Sequence, residues 1–197
     1  MKRLMPALIL IFFQVSSTVE CNAQSYVLVG DSMMYGFDNF LYMLPQDTIN
    51  LGLTMSVSSY VVQVAGSASA SKPKAIFIET GVNDIGKNSF EQLSANYDLA
   101  LQTIQDVSPQ TKVYVNAIFP SNFVDFPKSY DFTNSTVKTY NQEISRIVSL
   151  HPNTTFLDFT QQFSDVLGNL RKELSSDGLH LNRAGYELWS SLLKPYF

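Results

Sequence analysis

Five short runs rich in β-branched and aromatic residues alternate along the chain with longer stretches of helical periodicity, and no other feature constrains the fold as much. The runs fall at residues 26–29, 48–51, 75–80, 112–118 and 155–157. Ala75-Ile76-Phe77-Ile78 is continuously apolar, as expected of a strand covered on both faces. Between the runs, Ser89-Phe90-Glu91-Gln92 reads as a capping box. Phe90, Leu93, Tyr97, Ala100, Leu101 and Ile104 follow it at helical spacing. Val137, Tyr140, Ile144, Ile147 and Val148 form a second stripe, and residues 181–193 a last helix stopped by Pro195. The alternation predicts an α/β fold: a three-layer sandwich in which helices cover both faces of a five-stranded parallel sheet. Ligands of such sheets bind beyond the carboxyl ends of the strands.

A chain of 197 residues is one domain's worth and buries a large core without metals or disulfides. The formal charge of -4, with no Lys/Arg run, argues against a nucleic-acid partner. Lys2 and Arg3 precede an apolar stretch at residues 4–15, and Ser16, Ser17 and Thr18 follow. This is the pattern of a secretory signal peptide over residues 1–23, cleaved after Ala23, leaving a single domain over residues 24–197. The stretch is short for a bilayer span. The expected protein is therefore secreted or periplasmic, with no stable membrane insertion. Cys21 is the one cysteine. A lipid anchor through Cys21 is the alternative, disfavoured by the bulky Glu20 before it. Cleavage after Ala23 leaves no cysteine for a disulfide or a thiolate metal site.

Four polar stretches fall at the carboxyl ends of the predicted strands. Gly30-Asp31-Ser32 follows the first, Asn50-Leu51-Gly52 closes the second, and Gly81-Val82-Asn83-Asp84 follows the third. Asp177-Gly178-Leu179-His180 follows the fifth and precedes the last helix. An ester hydrolase needs a nucleophile, a base, a group that orients the base and donors for an oxyanion. Ser32, at a strand-to-helix turn, is the candidate nucleophile. Of the two histidines, His151 falls on the amino side of the fifth run and is read as a surface or helix-terminal residue; His180 is the candidate base. Asp177, three residues earlier, is placed to orient it, and doubles as a candidate cap for the last helix. The N–H groups of Ser32 and Gly52 and the Asn83 side-chain amide are the candidate oxyanion donors. Asp31 and Asp84 are read as structural.

Gly-Asp-Ser near the start, Gly-x-Asn-Asp in the middle and Asp-x-x-His near the end, in that order, resemble the SGNH hydrolase (GDSL-type esterase) family. The likeness spans residues 25–195, and the tail from Asp177 to Tyr186 is especially typical of the family. It implies a flavodoxin-like sheet of strand order 2-1-3-4-5. It also implies Ser32, Gly52, Asn83 and His180 as the defining quartet and Asp177 as the third triad member, with no metal or organic cofactor. Two positions depart from the pattern: Met33 stands where the family name records Leu, and the block around Asn50-Leu51-Gly52 carries less glycine than usual.

The substrate class is less sharply written. Residues 119–133 form a long aromatic stretch after the fourth run, and Phe37, Phe40 and Tyr42 follow the nucleophile. They are candidates for an acyl pocket or a sugar-stacking platform, or simply pack on the sheet edge. The expected activity is removal of a short acyl group, acetyl above all, from a carbohydrate ester. The alternatives are a lysophospholipase or thioesterase acting on longer chains, and an acyltransferase using the same triad.

Overall fold

The computed structural model describes residues 25–126 and 132–197. The predicted leader with Cys21, and residues 127–131 of the aromatic stretch, lie outside the described residues.

Five parallel strands form one sheet: β1 (Tyr26–Gly30), β2 (Thr48–Gly52), β3 (Ala75–Glu79), β4 (Lys112–Asn116) and β5 (Thr154–Leu157). Their spatial order is β2-β1-β3-β4-β5. Among the described residues the α-helices are α1 (Ser32–Tyr35), α2 (Ser58–Ala70), α3 (Phe90–Val107), α4 (Asn134–Val148), α5 (Thr160–Phe163) and α6 (Arg183–Leu193). Side chains alternate across each strand. Val27, Val29, Ile76, Ile78, Val113 and Val115 face α2, α3 and α4. Tyr26, Leu28, Ala75, Phe77 and Tyr114 face the other way, onto Met33 and Met34 of α1 and Tyr186, Trp189 and Leu193 of α6. This is the predicted three-layer α/β sandwich.

Element ends moved where a cap decides them. Ser89 caps α3 by accepting the Gln92 N–H at 3.1 Å, but Gln92 turns its own side chain to Asn96, so the predicted capping box is half formed. The last helix starts at Arg183, two residues later than its apolar pattern, because Asn182 accepts the Gly185 N–H. Asn182, not Asp177, is thus its cap. Helix α2 carries no strong stripe; its buried face is Ser58, Val61, Ala65, Ala68 and Ser69, small residues that admit close approach of α3.

Candidate active site

Asp31 takes the N-cap of α1: its Oδ1 accepts the Met33 N–H at 2.9 Å. Ser32 is therefore the first residue of the helix rather than its cap. Its N–H is one of the groups that a helix start leaves without an intrahelical partner, and it makes no hydrogen bond to protein among the described residues. Its Oγ lies 3.1 Å from His180 Nε2.

Asp177 shapes the turn that presents this imidazole. Its Oδ1 accepts the N–H groups of Leu179 (2.9 Å) and His180 (2.7 Å), while its Oδ2 lies 2.8 Å from His180 Nδ1. A carboxylate at Nδ1 places the ring proton there and leaves Nε2 as the acceptor facing Ser32. The His180 side chain is 44% exposed, so the reacting edge is open to a substrate.

Asn83 sits in the 3-10 turn Val82–Asp84 after β3. One of its amide hydrogens goes to the Ser56 carbonyl at 3.0 Å; the other makes no hydrogen bond to protein among the described residues. Asp84 anchors this turn, as its structural assignment requires. It is fully buried, takes the Ser58 N–H and hydroxyl at 2.8 and 2.6 Å, and accepts Asn88 Nδ2 at 2.8 Å.

Gly52 is placed differently from the expectation. It ends β2 beside Gly30, but its N–H donates to Asn50 Oδ1 at 2.9 Å and is not free for an oxyanion. Its lack of a side chain serves packing: a Cβ there would lie 2.2 Å from the Tyr35 nitrogen. The chain then runs through Leu53, whose N–H donates to the Gly30 carbonyl, to Met55 in the left-handed conformation at φ 62°. The N–H groups of Thr54 and Met55 have no hydrogen-bond partner among the described residues.

These motifs coincide with a known family. The sequence matches the GDSL-like Lipase/Acylhydrolase family over residues 28–188. The chain belongs to that family. It is a carboxylic ester hydrolase with the α/β architecture of GDSL hydrolases. Among solved structures, a Streptococcus pneumonia protein provisionally described as a platelet activating factor has a TM-score of 0.79 at 24% identity, covering 91% of this chain and 86% of that one. A GDSL-like lipase from Bacteroides thetaiotaomicron has a TM-score of 0.74 at 17% identity, with 88% and 87% covered. The acetylxylan esterase Axe2 from Geobacillus stearothermophilus has a TM-score of 0.66 at 15% identity, with 87% and 93% covered. No curated protein sequence matches the chain.

The acylhydrolase braces its site with residues that spacing does not reveal. Ser175, buried beneath the Asp177 turn, accepts the N–H groups of Asp177 and Gly178 and donates to the His180 carbonyl at 2.7 Å. The Asn122 N–H donates to the Gly178 carbonyl at 2.7 Å. Gly178, at φ 80°, has no room for a Cβ, which would fall 2.3 Å from the Asn122 oxygen. Tyr186 on α6 donates to the Met33 carbonyl at 2.7 Å, tying the helix after His180 to the helix that carries Ser32. His151 lies at the opposite edge in the turn that ends α4, its N–H on the Val148 carbonyl and its Nε2 2.9 Å from Asp98; with a side chain only 6% exposed it fits the helix-terminal reading rather than the surface one.

The aromatic candidates divide. Phe37 and Phe119 are core residues packed on Trp189, which removes them from any pocket lining. Phe40 stacks on Tyr186 with centroids 4.9 Å apart, and Tyr42 projects to solvent, 69% exposed. Phe123 packs edge-on against Phe132, and Phe126 lies against the position of the missing Gly178 side chain. No membrane-spanning helix is found among the described residues. A groove of about 570 Å³ runs between α4 and the β5 edge, lined by Lys138, Gln142, Phe156 and Asp158; it contains none of the candidate site residues.

Proposed function

We propose that the protein is an exported serine esterase that removes short acyl groups, acetyl above all, from carbohydrate esters. The observation that carries the mechanism is the unbroken chain from Ser32 Oγ to His180 Nε2 (3.1 Å) and from His180 Nδ1 to Asp177 Oδ2 (2.8 Å). Ser32 Oγ adds to the ester carbonyl as His180 Nε2 takes its proton. Asp177 holds the ring and stabilises the imidazolium that forms. The oxyanion is met by the Ser32 N–H and the unused Asn83 amide hydrogen. With Gly52 engaged by Asn50, the third donor comes from the loop that Asn83 ties down, where the Thr54 and Met55 amides have no partner among the described residues. The tetrahedral adduct collapses, the C–O bond to the alcohol breaks, and His180 protonates that alcohol. Water, deprotonated by His180, then releases the acid and restores Ser32.

The carbohydrate assignment is supported by the open edge around His180 and by the shared fold of an acetylxylan esterase. Leu53 and Met55, 47% and 77% exposed just after β2, favour a longer acyl chain as the second reading. Export is supported by Lys2, Arg3 and the apolar residues 4–15. The test is hydrolysis of a nitrophenyl ester series from acetate to palmitate, with Ser32→Ala beside the wild type. Acetate turnover that vanishes in the variant is the expected result. A preference for long chains moves the substrate to lysolipids. Activity that survives in Ser32→Ala overturns the mechanism.

A further inference from the structure

Directly behind the nucleophile lie two carboxyl groups that the mechanism above does not use. Gly30 and Glu79 are register partners on adjacent strands, and the Asp31 N–H donates to the Glu79 carbonyl at 3.2 Å. This brings Asp31 and Glu79 side by side under α1, both at 0% exposure. Asp31 Oδ1 caps the helix through Met33, but Asp31 Oδ2 and both Glu79 carboxyl oxygens are buried with no hydrogen-bond donor among the described residues. Two buried carboxylates with three orphaned oxygens are not a stable arrangement: like charges repel, and unpaired buried acceptors are costly. The side chains are nevertheless within hydrogen-bonding contact of each other. One proton between them resolves both problems, because it removes a charge and gives the pair its missing donor.

We propose that Glu79 is a positioning residue for Ser32: a single proton held between the Glu79 and Asp31 carboxyls pins the Asp31 side chain that caps α1 and so fixes the helix's first residue. The proposal deepens the serine-esterase reading and rests on Ser32 being the nucleophile.

The surroundings favour that proton at neutral pH. Burial pushes the Asp31 carboxyl up to about 7 against the lowering effect of the Met33 N–H and of its contact with Glu79, and burial followed by the Asp31 charge pushes Glu79 well above the usual carboxylate range. Asp84, on the turn after β3, also raises Asp31, whereas His180, before α6, lowers it. The phenols of Tyr97 on α3 and Tyr186 on α6 are raised by burial first and then by the negative charge of the same two carboxyls. Among the described residues, no lysine or arginine acts on either carboxyl. A raised carboxyl stabilises the fold below its unfolded value, and that stabilisation is lost as pH rises through the folded value. The pair therefore predicts a loss as pH rises from the ordinary carboxylate range through about 7, opposite in sign to the acid loss expected from a paired carboxylate.

The test compares wild type, Glu79→Gln and Glu79→Ala. Gln keeps a neutral donor toward Asp31; Ala removes it. Expected are a kcat for Glu79→Gln within about threefold of wild type at pH 7 and a fall of roughly 10- to 100-fold for Glu79→Ala, the range set by leaving a buried acceptor unpaired. The decline of kcat and of Tm with rising pH in the wild type should be absent from Glu79→Gln. The infrared carbonyl stretch of a protonated carboxyl should be visible in wild type at pH 7 and lost in Glu79→Gln. That band is independent of catalysis. If Ser32→Ala overturned the esterase mechanism, the band would still report whether the proton is held. The proposal is overturned by a wild-type spectrum without the band, by equal losses of kcat in the two variants, or by a decline with rising pH that Glu79→Gln leaves in place.

Discussion

Gly52→Ala separates two roles that the same residue could play, a free amide donor or a close-packing point. Alanine keeps the backbone N–H, and Gly52 does not occupy the left-handed region, so the substitution introduces neither a missing donor nor backbone strain. What it adds is one methyl group. That carbon would lie 2.2 Å from the Tyr35 nitrogen, 2.6 Å from the Met34 carbonyl carbon and 2.7 Å from the Tyr35 Cα, where ordinary contact begins at 3.4 Å. All three atoms belong to the backbone of α1, so no side chain can swing away. A gap of about 1 Å must open between β2 and the helix that starts at Ser32.

A displacement of about 1 Å at a reacting group costs on the order of 100-fold in rate, or about 2.7 kcal/mol of barrier. Overpacking of this kind costs the fold about 1–3 kcal/mol, which for a domain of this size lowers Tm by roughly 3–10 °C. The assay is kcat/KM for nitrophenyl acetate with a thermal melt on the same preparation. A Gly52→Ala enzyme with wild-type kcat/KM and wild-type Tm would refute the account of Gly52 as a packing residue under the proposed nucleophile.

Two further substitutions test the supports of the site. Ser175→Ala strips the Asp177–His180 turn of an acceptor for two N–H groups and of a donor to the His180 carbonyl. It should lower kcat/KM about 10-fold, equivalent to roughly 1.4 kcal/mol within the range for a lost buried partner; an unchanged rate would show that the turn holds itself. Trp189→Phe leaves Asn116 Oδ1, which the indole N–H reaches at 3.1 Å, buried without its donor and opens space among Phe37, Phe119 and Tyr186. The cost should be about 2–4 kcal/mol and the fall in Tm roughly 5–15 °C, with the kcat of the folded enzyme nearly unchanged; a melt within 2 °C of wild type, on the order of one kcal/mol or less, contradicts it.

What the sequence made legible followed from periodicity and from where polar residues interrupt it. Ala75 to Glu79 could hardly be anything but a central strand, and the residues just beyond such strands had to share one edge. Ser32, Asn83, Asp177 and His180 were readable as candidate site residues for that reason. Helix α2 was not, because its buried face is built of Ser, Ala and Val and offers little contrast with its exposed one. Gly52 misled because spacing shows that an amide sits near the nucleophile but not what it donates to; the answer depends on the Asn50 side chain turning back along the strand end. The Asp31–Glu79 pair was hidden by distance in sequence. Nothing in either segment announces the other until β1 and β3 are known to be neighbours in register.

The placement of Ser32 is therefore a property of the tertiary structure, not of its own helix. Four residues cannot hold a helix alone, since nucleation is unfavourable and α1 closes hardly more than one turn. Its position is imposed from outside at separate points. Met33 and Met34 are buried in the core between sheet and α6. Asn50 on β2 grips the Met34 carbonyl at 2.8 Å, Tyr186 on α6 grips the Met33 carbonyl at 2.7 Å, and Asp31 holds the Met33 N–H from the end of β1. Each anchor comes from a different element, so a local perturbation of any of them should reach the nucleophile while leaving the rest of the sheet intact. Tyr186 matters most in this respect, because α6 also follows the turn that carries His180. One phenol thus fixes the separation between the two helical elements whose ends must keep Ser32 Oγ and His180 Nε2 within reach of each other.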